Sequence, residues 1–435
     1  MTIDGKFTPV RKLDVFRLLS TGEKVAVGTL AQDSQYTYFA YENDYLSQLG
    51  NLSPFSLKAD TTLQIAPKQP FLGLHGVFVD SLPDGWGLLL QDRYFRKHSI
   101  LPHQITQLDR LAFVGNRGIG ALQFEPNYDL EDRDNELIKL ADLGLQAQAV
   151  FDGQTDDVLQ ALIVAGSSGG ARPKAQVFIS STDDQLTTCR TVPQQGDDAW
   201  IVKFTSKNLP LGHKEGLCEA VYLTMAQQCG LNPVEWQLLS APKKSEASYW
   251  LAVKRFDWVN GSNHAGRYHI HSMAGLLNAD FRMPSLDYED IIKASKLLCQ
   301  SPEIGKLQFA RAMFNLFAIN QDDHSKNWAF MQDDKGVWTP TPHYDITFSP
   351  SPYGEHATAF GGFGKNPPIN VIQKLAHRAG FDDWQQAKIV IEQIVDSVAQ
   401  FKQIAQQFDI DTTTIKLIEK QLNGVRKANQ GLLST

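Results

Sequence analysis

The stretch AINQDDHSKNWAF, followed closely by TPHYDITF, gathers the residue types that phosphoryl transfer to a hydroxyl requires. That reaction needs a carboxylate beside the nucleophile and oxygen ligands for Mg²⁺, because most of the work is positioning and charge neutralisation. Asp322 and Asn327 stand in a D-x-x-x-x-N spacing that puts a base and a metal-binding amide on one tight loop, and Asp345 supplies a second metal-binding carboxylate across a hairpin. Asp323 is the other candidate base, but it lies one residue closer to Asn327, so the spacing favours Asp322. Read blandly, the same string is a polar loop between helices.

Phosphates also need backbone that can approach closely and donate N–H groups. GSSGGARPK, from Gly166 to Lys174, offers Gly169 and Gly170 with Arg172 and Lys174 beside them. It lacks the G-K-[ST] ending of a Walker A loop. Lys203 sits inside the apolar run WIVKF, where an ammonium is costly unless it snorkels or meets an anion. Glu215 and Glu219, spaced to share one helical face, are the candidate partners. The strand ending VKRF-D places Lys254, Arg255 and Phe256 where a nucleotide-binding fold has its hinge, with Asp257 in reach of a ribose.

Two rival constellations carry less. His269 and His271 form H-x-H and, with His324, His343 and aspartates, could assemble a metallohydrolase centre, but Tyr268–His271 reads as a surface strand and no close ligand pair completes a three-ligand set. GNRGIG has its glycines in the wrong order for a dinucleotide fingerprint and reads as a hairpin turn.

The elements that must position these residues follow from pattern. The chain has 435 residues, 41 Lys+Arg against 48 Asp+Glu, a formal net charge of −7 and 42% hydrophobic residues, so ordinary globular material in more than one lobe is expected. The acidic balance gives no overall attraction to nucleic acid. Cys189, Cys218, Cys229 and Cys299 show no C-x-x-C spacing and read as buried thiols in a reducing compartment. The N-terminus lacks the apolar core of a secretion signal and no run is long enough to span a bilayer, so a soluble, cytoplasmic protein with no membrane association is expected.

Residues 1–126 show short apolar stretches broken by Gly and Pro, with a helical insert at Gly85–Arg96, and the acidic run Asn127–Glu136 marks a boundary. The order Gly-rich loop, strand, strand with Lys203, helix from Lys214 to Gln228, and strand Ser248–Phe256 follows. Beyond residue 270 helical periodicity predicts helices at 286–298, 304–318, 384–404 and from about Thr413 with Asp411 as cap. One hairpin, NWAFMQ-DDKG-VWTPTP, interrupts them.

Several strings, in order, resemble the HipA family of bacterial serine/threonine kinases, the toxins of HipA/HipB-type toxin–antitoxin pairs. LPDGWGLLLQDR (Leu82–Arg93) and LDRLAFVGNRGIGALQFEP (Leu108–Pro126) resemble its first subdomain, GSSGGARPK its phosphate loop and VKRFD its hinge. HSMAGLLNADFRMPSLDYEDI resembles the link into its helical lobe, and DDHSKN with HYD its catalytic and metal-binding segments. The resemblance implies a two-lobed, protein-kinase-like α+β fold: a strand-rich N-terminal subdomain over 1–126, an ATP-binding mixed α/β subdomain over 127–257 and an all-α C-terminal catalytic lobe over 258–435.

It implies Asp322 as catalytic base and Asn327 and Asp345 as Mg²⁺ ligands. The implied ATP contacts are Gly169, Gly170, Ala171, Arg172, Pro173 and Lys174, then Lys203, Lys254, Arg255, Phe256, Asp257, His324, Lys326 and Tyr344. Autophosphorylation at the start of the phosphate loop falls on Ser167, with Ser168 as the alternative. The implied partners are a HipB-like helix-turn-helix antitoxin, operator DNA reached mainly through it, and a protein substrate such as an aminoacyl-tRNA synthetase, the glutamyl enzyme favoured. A silent binding partner or corepressor, and a small-molecule kinase on the same fold, are the alternatives.

Overall fold

A computed structural model describes the chain except residues 1, 4–5, 129, 131–136, 167–168, 184–185, 261–264 and 434–435. Near the N-terminus five antiparallel strands form one sheet in the order Gln64–Ile65, Thr37–Tyr41, Lys24–Gln32, Lys12–Leu18, Leu122–Glu125. Strict alternation in Lys12–Leu18 sends Leu13, Val15 and Arg17 inward. Helices Gly85–Lys97 and Gln107–Val114 bury Phe95, Leu108 and Leu111 in the same core. The second helix starts on a capping box between Thr106 and Asp109.

Arg17 is the exception in that apolar face. Its guanidinium is fully buried and reaches the far lobe, donating to Gln332 Oε1 at 2.8 Å, to the Gln332 carbonyl at 3.1 Å and to the Asp333 carbonyl at 2.9 Å. Ser20 adds a backbone N–H to Asp334 at 2.9 Å.

A second antiparallel sheet carries the nucleotide-binding expectations: Trp236–Ser240, Tyr249–Lys254, Asp197–Lys203, Lys174–Ser180 in that order. The edge strand Trp236–Ser240 is an addition to the sequence reading. Lys203 lies directly opposite Lys174 in the register, so both ammonium groups stand on one face at the same end of the sheet. Helix Glu215–Gln228 packs on that sheet and stops before Gly230, whose positive φ of 68° suits a helix end.

The C-terminal lobe is built around helix Pro302–Ala318, flanked by Tyr288–Cys299, Ile369–Ala379 and Trp384–Ala399. The expected long helix over 384–404 breaks into Trp384–Ala399 and Phe401–Gln407, and Ile369–Ala379 had not been anticipated. Asp411 caps Thr412–Ala428 by accepting the Thr414 N–H at 2.9 Å, as its position suggested. The lobe is helical apart from small sheets at its junction with the rest. The hairpin Ala329–Gln332 with Trp338–Pro340 gains His269–Ser272 as a third strand, and Trp258–Asn260 pairs with Ala265–Arg267. His269 and His271 are therefore buried, which corrects the surface-strand reading.

Candidate active site

A cleft of about 670 Å³ opens between the second sheet and the helical lobe. Lys174 and Lys203 line it from the sheet, the loop Gly169–Arg172 covers one side, and Asp322, Asn327 and Asp345 line the other.

The segment 320–327 is aimed by the end of helix Pro302–Ala318. Ile319 takes a left-handed φ of 55°, which a β-branched residue adopts only when its surroundings impose it. The Asn320 N–H returns to the Asn315 carbonyl at 3.0 Å, and the Ile319 carbonyl accepts the Ser349 N–H at 3.0 Å. The chain that emerges alternates. Gln321 and Asp323 face inward, while the Asp322 side chain is 69% exposed and opens onto the cleft. Asp323 is committed elsewhere: its carboxylate accepts the Tyr288 hydroxyl, His356 Nδ1 at 2.8 Å and the Thr358 N–H at 3.2 Å. Burial and three donors leave Asp323 no free oxygen, so of the two adjacent carboxylates only Asp322 is available to a substrate.

Around Asp322 the loop is held by its neighbours. The Asp322 N–H donates to Ser349 Oγ at 3.2 Å, and Asn327 Nδ2 donates to the Asp322 carbonyl at 2.8 Å. The second contact leaves the Asn327 amide oxygen as an acceptor. His324 Nε2 lies 3.8 Å from Asp322 Oδ1. Tyr344 donates its hydroxyl to the Lys326 carbonyl at 2.8 Å and packs beside Phe256, their ring centres 5.6 Å apart.

Asp345 also has a left-handed φ, 55°. Lys203 Nζ bridges Asp345 Oδ1 at 2.7 Å and Glu219 Oε1 at 2.6 Å. The Lys203 ammonium, with Lys174 and Arg172 behind it, overcomes burial and holds the Asp345 carboxyl far below the usual carboxylate range. Glu215, the other candidate partner of Lys203, pairs with Arg172 at 3.0 Å. Each of the two glutamates thus takes one cation. Lys174 donates to the Gly169 carbonyl at 2.8 Å, and burial and neighbouring Lys203 pull its pKa down.

Among the predicted ATP contacts, Pro173 is buried behind the cleft and its carbonyl accepts the Phe204 N–H at 2.9 Å. Lys254 reaches the cleft wall but turns its ammonium to Asp198 at 3.2 Å and Glu235 at 3.6 Å. The amides of Lys254 and Arg255 are used inside the sheet, on Glu235 and Ala199 carbonyls. Asp257 lines the cleft beside the hinge, but its carboxylate is already engaged. Its carboxylate accepts from Arg255 Nε at 3.0 Å, Arg255 Nη2 at 2.6 Å and the Gly120 N–H at 2.7 Å. Burial opposes its charge, but Arg255 wins and holds the carboxyl below its ordinary value. Arg255 and Asp257 instead tie the hinge to the GNRGIG turn, where Gly118 and Gly120 lie. Ser167 and Ser168 lie outside the described residues.

The H-x-H pair has its own explanation. His269 Nε2 meets the Leu52 carbonyl at 3.1 Å. His271 lies between Asp80, 2.6 Å from Nδ1, and Ser53, 2.7 Å from Nε2. Ser53, His271 and Asp80 have the connectivity of a hydrolase triad, but Ser53 and His271 are fully buried and no substrate can reach the serine. Among the described residues no group of three or more His, Cys, Asp or Glu side chains is placed to hold a metal alone. A carboxylate and an amide oxygen facing an open cleft do suit Mg²⁺, which takes few protein ligands and completes its shell with phosphates and water.

The sequence reading missed Asp84, whose carboxylate meets Lys326 Nζ at 2.8 Å, and Phe281, whose ring lies 4.5 Å from the same ammonium. Both come from distant segments, and only the quoted strings containing them hinted at either. Among the described residues no helix is long and apolar enough to cross a membrane.

Comparison with known proteins agrees with this architecture. Over its whole length the chain superposes on HipA of Shewanella oneidensis MR-1, solved with HipB and its operator DNA, with a TM-score of 0.70 and 17% identity; 97% of this chain and 98% of that one are covered. The Helicobacter pylori proinflammatory kinase CtkA overlaps more loosely, with a TM-score of 0.41 and 12% identity over 61% of this chain and 93% of that one, and carries no weight here. A Sinorhizobium fredii protein named "Putative kinase Y4dM" is 26% identical over 241 residues, 52% of this chain; the match spans 56% of that protein's length. Residues 21–125 match the HipA N-terminal domain and residues 166–402 the HipA-like C-terminal domain. With more than half of its length under one family's C-terminal domain and its N-terminal sheet under the same family's N-terminal domain, the chain belongs to the HipA family.

Proposed function

We propose that this protein is a Mg-ATP-dependent serine/threonine protein kinase and the toxin of a toxin–antitoxin pair. The observation that carries the reading is the meeting, in one cleft, of exposed Asp322 with Asn327, Asp345 and the Lys203 bridge. A purely structural loop has no need of those groups together.

ATP fits with its phosphates under Gly169–Lys174 and its adenine against the hinge at Phe256. The acceptor hydroxyl oxygen attacks the γ-phosphorus, the bond to the β-phosphate oxygen breaks and ADP leaves, and Asp322 takes the hydroxyl proton. Asn327 and Asp345 are the residues that would hold Mg²⁺, which supplies neutralisation of the charge on the phosphates. Lys203 orients the Asp345 carboxylate and stays charged throughout. His324, Lys326 and Tyr344 shape the loop around the base.

A HipB-like helix-turn-helix antitoxin is the partner we propose, by likeness to the Shewanella complex, with operator DNA held mainly by the antitoxin because this chain is acidic. The proposed target is an aminoacyl-tRNA synthetase, the glutamyl enzyme favoured, and Ser167 or Ser168 is the proposed site of self-inactivation. The test is the intact mass of the purified protein before and after Mg-ATP, with peptide localisation and an Asp322→Ala control. A phosphoryl group on Ser167 or Ser168, absent from the control, is expected. Equal phosphate on both proteins would overturn the base assignment.

A further inference from the structure

The string LPDGWG plays no part in the chemistry above, yet its Asp84, Gly85 and Trp86 lie directly against the phosphate loop. Asp84 Oδ1 accepts the Gly170 N–H. The Trp86 N–H donates to the Gly170 carbonyl at 2.9 Å, and its indole Nε1–H donates to the Lys174 carbonyl at 2.8 Å. Gly85 has a φ of 43°, and a Cβ there would come within 2.7 Å of Ala171 Cα and 2.8 Å of the Gly170 carbonyl oxygen. Only glycine lets the two backbones lie this close. The second oxygen of Asp84 takes Lys326 Nζ at 2.8 Å, so one carboxylate touches the phosphate loop and the catalytic loop together. Burial works against its charge, but Lys326 and the Gly170 N–H outweigh it and hold the carboxyl below its ordinary value.

We propose that Asp84–Gly85–Trp86 is the seat of the phosphate loop and that Asp84 is a positioning residue for ATP, fixing the loop relative to Lys326. The proposal rests on the kinase reading and deepens it by giving the N-terminal subdomain a part in nucleotide binding. A simpler role, a carboxylate standing where a phosphate will later sit, does not account for the two Trp86 contacts. Those are N–H groups donated to loop carbonyls, which a phosphate cannot replace. Loss of the seat frees the loop at both ends, Gly170 and Lys174, while leaving the hydrogen bonds of Asp322 to Ser349 and Asn327 in place.

The test uses the full chain with Asp84→Asn, which keeps the shape and removes the charge, and Trp86→Phe, which removes the indole N–H together with part of a buried ring. Mg-ADP affinity is measured by calorimetry, ATP KM and kcat by phosphorylation, and amide hydrogen exchange over residues 169–174 without nucleotide. Asp84→Asn is expected to raise the Mg-ADP Kd and ATP KM about tenfold, the size of one lost charge-assisted hydrogen bond, with kcat within about threefold. Exchange in the loop becomes faster in both variants. A merely structural role would lower the melting temperature without separating KM from kcat. If wild type binds nucleotide and Asp84→Asn binds equally well or more tightly, the proposal is overturned and the kinase reading stands. If wild type binds no nucleotide, the kinase reading and Asp84's role toward ATP both fall. Loop exchange, which needs no nucleotide, then decides the seat: faster exchange in the variants supports it and unchanged exchange overturns it.

Discussion

The catalytic segment 320–327 and the phosphate loop 169–174 face the same cleft and are held in opposite ways. Apart from Lys326, which meets Asp84, the first is anchored by groups of its own lobe. Asp323 is bound by Tyr288, His356 and Thr358, and Gln321 exchanges hydrogen bonds with Gly354 at 3.0 Å and Ser351 at 2.7 Å. The second is anchored at Gly170 and Lys174 by a turn from another subdomain, partly through main-chain groups. A site built this way separates chemistry from nucleotide grip. In the proposed mechanism the base is fixed by a buried network whose loss costs stability, and the loop by contacts whose loss costs binding.

The comparison breaks most visibly at Asp322. Replacing it with alanine is expected to lower phosphoryl transfer by roughly 10²–10⁴-fold, as for loss of a general base, while thermal melting stays unchanged because the side chain is mostly exposed. Transfer within a factor of a few of wild type would remove Asp322 from the chemistry. Its neighbour should behave in reverse. Asp323→Ala leaves the Tyr288 hydroxyl and His356 without their acceptor, and urea unfolding should show a loss of about 3 kcal/mol.

Lys203→Met sharpens the other side. Without its cation Asp345 keeps only the burial that raises its pKa and the weaker pull of Lys174 and Arg172. Wild-type Asp345 stays ionised well below pH 4, and its contribution is lost only as pH falls through that low value. In the variant the carboxyl titrates at higher pH, so residual Mg-ADP binding should weaken as pH drops from about 6 to 4, beyond any change in wild type. Calorimetry across that range checks it, and parallel pH profiles would contradict it. The smallest expected effect is none at all. Asp84 is ionised at and above the ordinary carboxylate pKa, so amide exchange in the phosphate loop, corrected for its intrinsic pH dependence, should be flat between pH 5.5 and 8. A transition centred near pH 6.5 would mean that a histidine, not Asp84, governs the loop.

Much of the catalytic side was legible because its parts are close in sequence. D-x-x-x-x-N favoured Asp322 over Asp323 from spacing, and in the structure Asp322 is exposed to the cleft while Asp323 is buried. Glu215 and Glu219 were rightly put on one helical face, but which cation each meets depends on where the strand and loop dock. The pairing of Asp257 was not foreseen although a signal existed. Arg255 and Asp257 lie two apart, where an extended chain puts side chains on one side, and they pair with each other. His269 and His271 looked exposed because a short polar strand gives no sign of the hairpin it joins or of the distant Leu52 and Ser53 that its histidines meet. Asp84 was invisible for the opposite reason: its partners are 86 and 242 residues away.

The DDKG turn at Asp333–Gly336 looks like a natural place to splice in a tag or a reporter, since polar hairpin tips ordinarily tolerate insertions. Here the tip is an anchor point. Arg17 holds the Asp333 carbonyl and Ser20 holds Asp334, so foreign residues at that site would strand a fully buried guanidinium before they disturbed the hairpin. A label meant to be silent would act as a wedge between the N-terminal sheet and the helical lobe, and a second melting transition in the tagged protein would reveal it.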